Sequence, residues 1–161
     1  MKNLILIRHG KSSWEAPIED IDRPLNQKGI NEAHLVASNC LHFLPSTYVV
    51  WSSLAKRASQ TALIFAQNIE YPIESIVFKQ ELYTFDENKL ENLIKSTGNT
   101  IENIILFGHN EAITNFVNKF GDIFIDHVPT AGFISLQFDT EDWGKINKGK
   151  TKKILFPKNL K

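Results

Sequence analysis

Two short runs in this chain place a histidine beside a glycine at the end of an aliphatic segment: Leu6-Ile7-Arg8-His9-Gly10 and Leu106-Phe107-Gly108-His109-Asn110. A third run, Ser52-Ser53-Leu54-Ala55-Lys56-Arg57, leaves a further apolar segment with an arginine. Arginine carries a rigid fork of N–H donors that matches a phosphoryl group through paired hydrogen bonds. A histidine beside it, neutral near pH 7, has a ring nitrogen free to attack phosphorus. A second His and a second Arg complete a cationic cradle for the oxygens that carry charge in a phosphoryl-transfer transition state. Together these residue types suit phosphoryl transfer through a phosphohistidine intermediate, with no metal or other cofactor required.

Other designs for the same chemistry lack their residues. There is no G-x-x-x-x-G-K-[ST] loop for a nucleotide. A cysteine nucleophile needs an arginine six positions on, and six after Cys40 stands Ser46. Asp20-Ile21-Asp22 does not follow an apolar run, and no G-x-S-x-G elbow occurs. His9 and His109 have no neighbouring ligand at local metal spacing.

The elements that must position these groups read as an alternation of strands and helices. Leu4–Ile7 is short and apolar on both faces, as a central strand of a parallel sheet requires. Asn26 is a helix cap, followed by Ile30, Ala33, Val36, Ala37, Cys40, Leu41 and Leu44 at helical spacing up to Pro45. Residues 47–51 form the second strand, and a helix from about Leu54 to Ile69 follows. Residues 75–78 make a short strand, and Asp86 caps a helix bearing Leu90, Leu93 and Ile94, with Gly98 beyond its end. Residues 103–107 are the next strand, then a helix with Ile113, Phe116, Val117 and Phe120, then a strand over 131–138. Residues 143–146 and 153–156 read as a terminal hairpin around Asn147-Lys148-Gly149. This order predicts an α/β protein, a three-layer α/β/α sandwich with a mainly parallel central sheet. Ligands of such sheets bind beyond the carboxyl ends of the strands, where helix N-termini add N–H donors.

On these residues the chain resembles the histidine phosphatase superfamily, also called phosphoglycerate-mutase-like. Arg8-His9-Gly10 is similar to its R-H-G signature, and Gly108-His109-Asn110 to its second-histidine motif. The run from Ser53 to Ala62 resembles its S-P-x-x-R-x-x-Q-T-A segment, with Leu54 in place of proline. Lys11-Ser12-Ser13-Trp14, the stretch Asp22-Arg23-Pro24-Leu25-Asn26-Gln27-Lys28-Gly29, Glu81-Leu82-Tyr83 and Pro129-Thr130-Ala131 are similar to the compact SixA-type phosphohistidine phosphatases. The resemblance implies that His9 is the phosphorylated nucleophile and that Arg8, Arg57 and His109 hold the phosphoryl group. Arg23 is then either an accessory phosphate ligand or a loop partner of Asp20 or Asp22. Larger relatives protonate the leaving oxygen with a glutamate. Glu81 is its positional match, and it reads equally well as a surface carboxylate.

Poor general-acid equipment suits a P–N bond, because an imidazole can leave protonated and neutral whereas an alkoxide cannot leave unaided. The implied partner is therefore a phosphohistidine-bearing protein domain. A small phosphoester is the alternative substrate of the same fold. A mutase needs an enclosed site, and Gly108 lies only 51 positions after Arg57, too few for an enclosing cap. A non-catalytic reader of phosphorylated partners would be missing one of these four residues, and all four are present. Gln60, Thr61, Cys40, His34, His42 and His127 read as packing, surface or loop residues, and Trp14 as a residue of the site's mouth or a lid contact.

At 161 residues, with 42% hydrophobic and 22% charged residues, the chain is of a size for one domain over 1–161. Its 18 basic and 18 acidic groups cancel, which argues against nucleic acid as a partner. The balance is uneven along the chain. Residues 145–161 hold seven lysines and no acid, so residues 1–144 carry a net charge of −7. One cysteine excludes a disulfide framework and points to a reducing compartment. No run approaches the roughly 18 apolar residues of a membrane span, and the aliphatic start is too short for a signal peptide. A cytoplasmic location with no membrane partner is the expectation.

Overall fold

The computed structural model describes residues 1–15 and 17–161. Its strands are β1 (Lys2–Arg8), β2 (Val49–Ser53), β3 (Val77–Lys79), β4 (Asn103–Gly108), β5 (Phe133–Phe138) and β6 (Lys150–Leu155). Its helices are α1 (Gln27–Asn39), α2 (Lys56–Ile69), α3 (Glu87–Lys95) and α4 (Ala112–Phe120). The strands form one mixed sheet in the order β3-β2-β4-β1-β5-β6. Neighbours are parallel from β3 to β1, and β5 is antiparallel to both β1 and β6.

The period of two in the strands sorts the core into two layers. Leu4 and Leu6 of β1, with Ile104 and Leu106 of β4, pack toward Leu90, Ile94, Ile113, Phe116 and Val117 of α3 and α4. Ile5, Ile7, Ile105 and Phe107 point to the other face, against Ala33, Val36, Ala37, Ala62 and Phe65 of α1 and α2. A sheet buried on both faces explains why these strands are continuous aliphatic runs. It is the expected three-layer α/β/α arrangement around a mainly parallel sheet. Because β2, β4 and β1 are adjacent, their carboxyl ends lie side by side, with Arg8 in register with Gly108.

The caps read from sequence are present. Asn26 Oδ1 accepts from Gly29 N at 2.8 Å, and Asp86 Oδ1 accepts from Asn88 N at 2.9 Å. Several boundaries differ, three of them by enough to matter. The first helix ends at Asn39, well before Pro45, and Leu41–Phe43 form a separate 3-10 turn. The second strand runs to Ser53, so Ser52 and Ser53 are buried within it rather than in its exit loop. The terminal hairpin is also corrected: Trp143–Lys145 is a 3-10 turn, and β6 pairs with β5. Trp143 is fully buried and donates from Nε1 to Ile101 O at 2.6 Å, which ties its segment to the chain entering β4. The lysines of β6 lie on the sheet's edge strand, where charge discourages further pairing.

Candidate active site

At the carboxyl ends of β1, β2 and β4 is an open pocket of about 330 Å³ lined by Arg8, His9, Lys11, Ser12, Trp14, Asp20, Arg23, Arg57, Phe85, Asn110 and Thr130. His9 lies just past β1, held by two backbone ties. Its N–H donates to Gly108 O at 3.1 Å, and its Nδ1 meets Gly10 O at 2.6 Å. The carbonyl must accept, so Nδ1 carries the proton and Nε2 keeps its lone pair. That lone pair receives the Arg57 Nε–H at 3.3 Å.

Arg57 is in the first turn of α2 and is 3% exposed. Its Nη2 approaches His109 Nδ1 at 3.4 Å, which leaves His109 Nε2 to meet Ser53 Oγ at 2.8 Å. The rings of His9 and His109 are 5.1 Å apart, with Arg57 reaching both. Arg8 donates from Nη1 to Val128 O at 2.9 Å and to His127 Nε2 at 3.1 Å, while its Nε is buried without a hydrogen-bond partner.

The electrostatics keep both histidines neutral. Burial, reinforced by the Arg57, Arg8 and Arg23 cations, pushes His9 down from 6.5 to about 4. Burial, followed by the neighbouring His9 and Arg57, pushes His109 down to about 3. Neutral imidazoles among three guanidiniums form a site for an anion.

The carboxylate in this pocket is Asp20, at the start of the 3-10 turn Asp20–Asp22. Its Oδ2 accepts from Arg57 Nη2 at 3.0 Å and from the Tyr83 hydroxyl, and its Oδ1 from Arg23 Nη1 at 3.0 Å. Its backbone oxygen also accepts from Arg57 Nη1 at 2.7 Å. Partial burial opposes ionisation, but the Tyr83 hydroxyl and the two guanidiniums hold its carboxyl down at about 2.

Arg23 is therefore both a pocket residue and the ion-pair partner of Asp20. It also donates to Ser13 O at 3.2 Å and to the Ser12 hydroxyl, and its guanidinium stacks 3.2 Å from the centre of the Trp14 ring. Glu81 is not brought here. It is exposed on the 3-10 turn Gln80–Leu82 and does not line the pocket.

Several residues of the site were read otherwise from sequence. Thr61 accepts from Gly10 N at 3.0 Å and donates to Arg57 O at 2.7 Å, so it fixes the backbone that orients His9. Phe85 and Tyr83 pack against the His109 ring at 5.5 and 5.3 Å. His127, a loop residue by sequence, is hydrogen-bonded to Arg8. Asp20 carried one signal, its spacing of three from Arg23. No three His, Cys, Asp or Glu side chains among the described residues are grouped as a metal site.

Known proteins share this architecture. A solved structure of the protein histidine phosphatase SixA complexed with tungstate superposes with a TM-score of 0.82 at 22% identity, covering 99% of each chain. Mycobacterial glucosyl-3-phosphoglycerate phosphatase superposes at 0.69 with 12% identity, over 94% of this chain and 97% of that one. An uncharacterized protein of Mycobacterium tuberculosis is 28% identical over 134 residues, 83% of this chain and 82% of its own. The sequence profile described as "Histidine phosphatase superfamily (branch 1)" matches residues 4–93, the segment that contributes Arg8, His9, Asp20, Arg23 and Arg57. The chain belongs to the histidine phosphatase superfamily.

Proposed function

We propose that this protein is a metal-independent phosphohistidine phosphatase that works through a phosphoryl group carried transiently on His9. The observation that carries the proposal is the Nε2 lone pair of a neutral His9, ringed by Arg57, His109 and Arg8 at the floor of an open pocket. In the first step Arg57 gives up its contact with His9 Nε2 to the phosphoryl oxygens, and the freed lone pair attacks phosphorus in line; Arg8 holds the oxygens with it, and His109 joins them as a donor once the bound anion lets it take up a proton. The buried, unpartnered Nε of Arg8 supports this role, because an oxygen acceptor would satisfy it. In the second step water attacks the phosphorus of phospho-His9, releasing phosphate and restoring the ring.

The choice of a P–N bond rests on the pocket's acid equipment. Among the described residues Asp20 is the carboxylate lining the pocket, and it is held ionised. An alkoxide leaving group needs a donated proton, whereas an imidazole that already bears one departs neutral. The pocket's openness suits a side chain presented on a protein surface, so the proposed partner is a phosphohistidine-bearing domain rather than nucleic acid or membrane.

His9→Ala tests the reading. It should abolish hydrolysis of a phosphorylated histidine domain and of 4-nitrophenyl phosphate, and wild-type protein should carry acid-labile phosphate on His9 after brief exposure to substrate. Activity retained by His9→Ala would refute the mechanism. Efficient turnover of small phosphate esters with none of phosphohistidine would assign the metabolite phosphatase instead.

A further inference from the structure

We infer that Asp20 determines the specificity of this site, as a fixed negative charge on the leaving-group side that favours P–N substrates and disfavours phosphate esters. The inference rests on the proposed phosphatase reading and adds a residue to it. Attack in line from His9, which is 8% exposed on the pocket floor, sends the leaving group outward. Asp20 stands outward of the cradle: its side chain is 43% exposed, whereas that of its partner Arg57 is 3% exposed. The carboxylate is pinned by Arg57, Arg23 and Tyr83, and the turn that carries it is tied to Arg57 through the Asp20 backbone oxygen. Lys11, Trp14 and Phe85 also line the pocket.

The sign of the effect follows from where the electrons go. When His9 Nε2 bonds to phosphorus and the substrate's P–N bond breaks, the electron pair returns to the substrate's ring nitrogen. If the other ring nitrogen carries a proton, the group enters as a cation and leaves as neutral imidazole, and no proton has to be delivered. A nearby carboxylate favours that protonated ring. When the bond broken is P–O, the pair returns to oxygen and an anion develops beside Asp20. Like charge then raises the barrier. A carboxylate at this place cannot serve as the missing acid, because Arg57, Arg23 and Tyr83 all stabilise its ionised form. It acts instead as a filter on the charge of the leaving group.

The experiment compares kcat/KM for phosphoimidazole and for 4-nitrophenyl phosphate in wild type, Asp20→Asn and Asp20→Ser, with thermal melts to establish folding. Removing the charge should lower the ratio of P–N to ester hydrolysis by about tenfold in both variants, the scale expected for one unit charge several ångströms away. A parallel fall on both substrates would overturn the inference, since Asp20 would then only hold Arg57 in place, and the phosphohistidine reading would survive. Wild-type protein that hydrolyses the ester and not phosphoimidazole would overturn that reading and this inference together.

Discussion

A nucleophilic histidine must be neutral and must show its lone pair to the substrate, and at His9 these two demands are met by different neighbours. Gly10 O fixes the tautomer, while burial among guanidiniums keeps the ring unprotonated. The ring resonances of His9 in an NMR titration should therefore hold still from pH 7 to 5 and move only near pH 4. A midpoint near 6.5 would show that burial and the arginines do not act as described. Arg57 touches both histidines and Asp20, with Nε and Nη2 committed to different partners. Lysine keeps the charge and loses that fork, so Arg57→Lys should reduce kcat about 100-fold, as loss of an aimed donor does elsewhere. Arg8, His9, Arg57 and His109 were legible in the sequence because each ends or directly follows a strand or stands in the first turn of a helix. Asp20, Thr61 and Phe85 were not, because they reach the pocket from segments whose approach is decided by packing between elements. Glu81 lies outside the pocket lining for the same reason: position in the chain does not say which way a 3-10 turn faces.

Between the residues and the sheet, small contacts between elements set the geometry. Thr61, in α2, bonds Gly10 N in the loop after β1 and so couples the helix bearing Arg57 to the backbone holding His9. Thr61→Val keeps the shape and leaves Gly10 N unsatisfied in a buried place. It should cost roughly 1–3 kcal/mol, read as a fall in Tm of several degrees, and kcat should drop with it. Gly29 is the tighter constraint, since a Cβ there would lie 2.1 Å from Lys11 O. Backbone cannot yield as a side-chain end would, so Gly29→Ala should push α1 off the loop that lines the pocket and lower both melting temperature and activity. Element types and caps were largely readable from apolar periodicity. The terminal hairpin was misread because Asn147-Lys148-Gly149 is a genuine turn signal, while the strand's partner lies in β5, where Lys150 pairs with Gln137 and Leu155 with Phe133. Local pattern cannot choose between a near and a distant partner of equal propensity.

For the whole molecule, two buried neutral histidines make the fold sensitive to acid. Their folded values, about 4 for His9 and about 3 for His109, lie below the ordinary 6.5. As pH falls the unfolded chain takes up the protons first. The stabilisation is therefore complete above pH 6.5 and is lost as pH falls through 6.5 toward 4 and 3. Between pH 7 and 5 each histidine should cost about 2 kcal/mol of unfolding free energy, measurable by urea denaturation. His9→Asn should remove about half of that loss, and an unchanged loss would exclude the histidines as its source. The charge asymmetry of the sequence has a place in the fold as well. β6 sets basic residues along one edge of the sheet, and Lys161 closes the end of the chain onto Glu32 of α1 at 2.8 Å. The composition predicted the asymmetry, but only the sheet order shows that this edge is separated from β1 by β5.

The stack of Trp14 on Arg23 also has an optical consequence. Of the three tryptophans, Trp51 and Trp143 are 6% and 0% exposed, while Trp14 is 77% exposed at the rim of the pocket. Iodide in solution should quench Trp14 almost alone. An oxyanion that draws on the Arg23–Asp20 pair should alter that component of the emission, so the chain carries its own fluorescent reporter of pocket occupancy, readable without a label or a turnover.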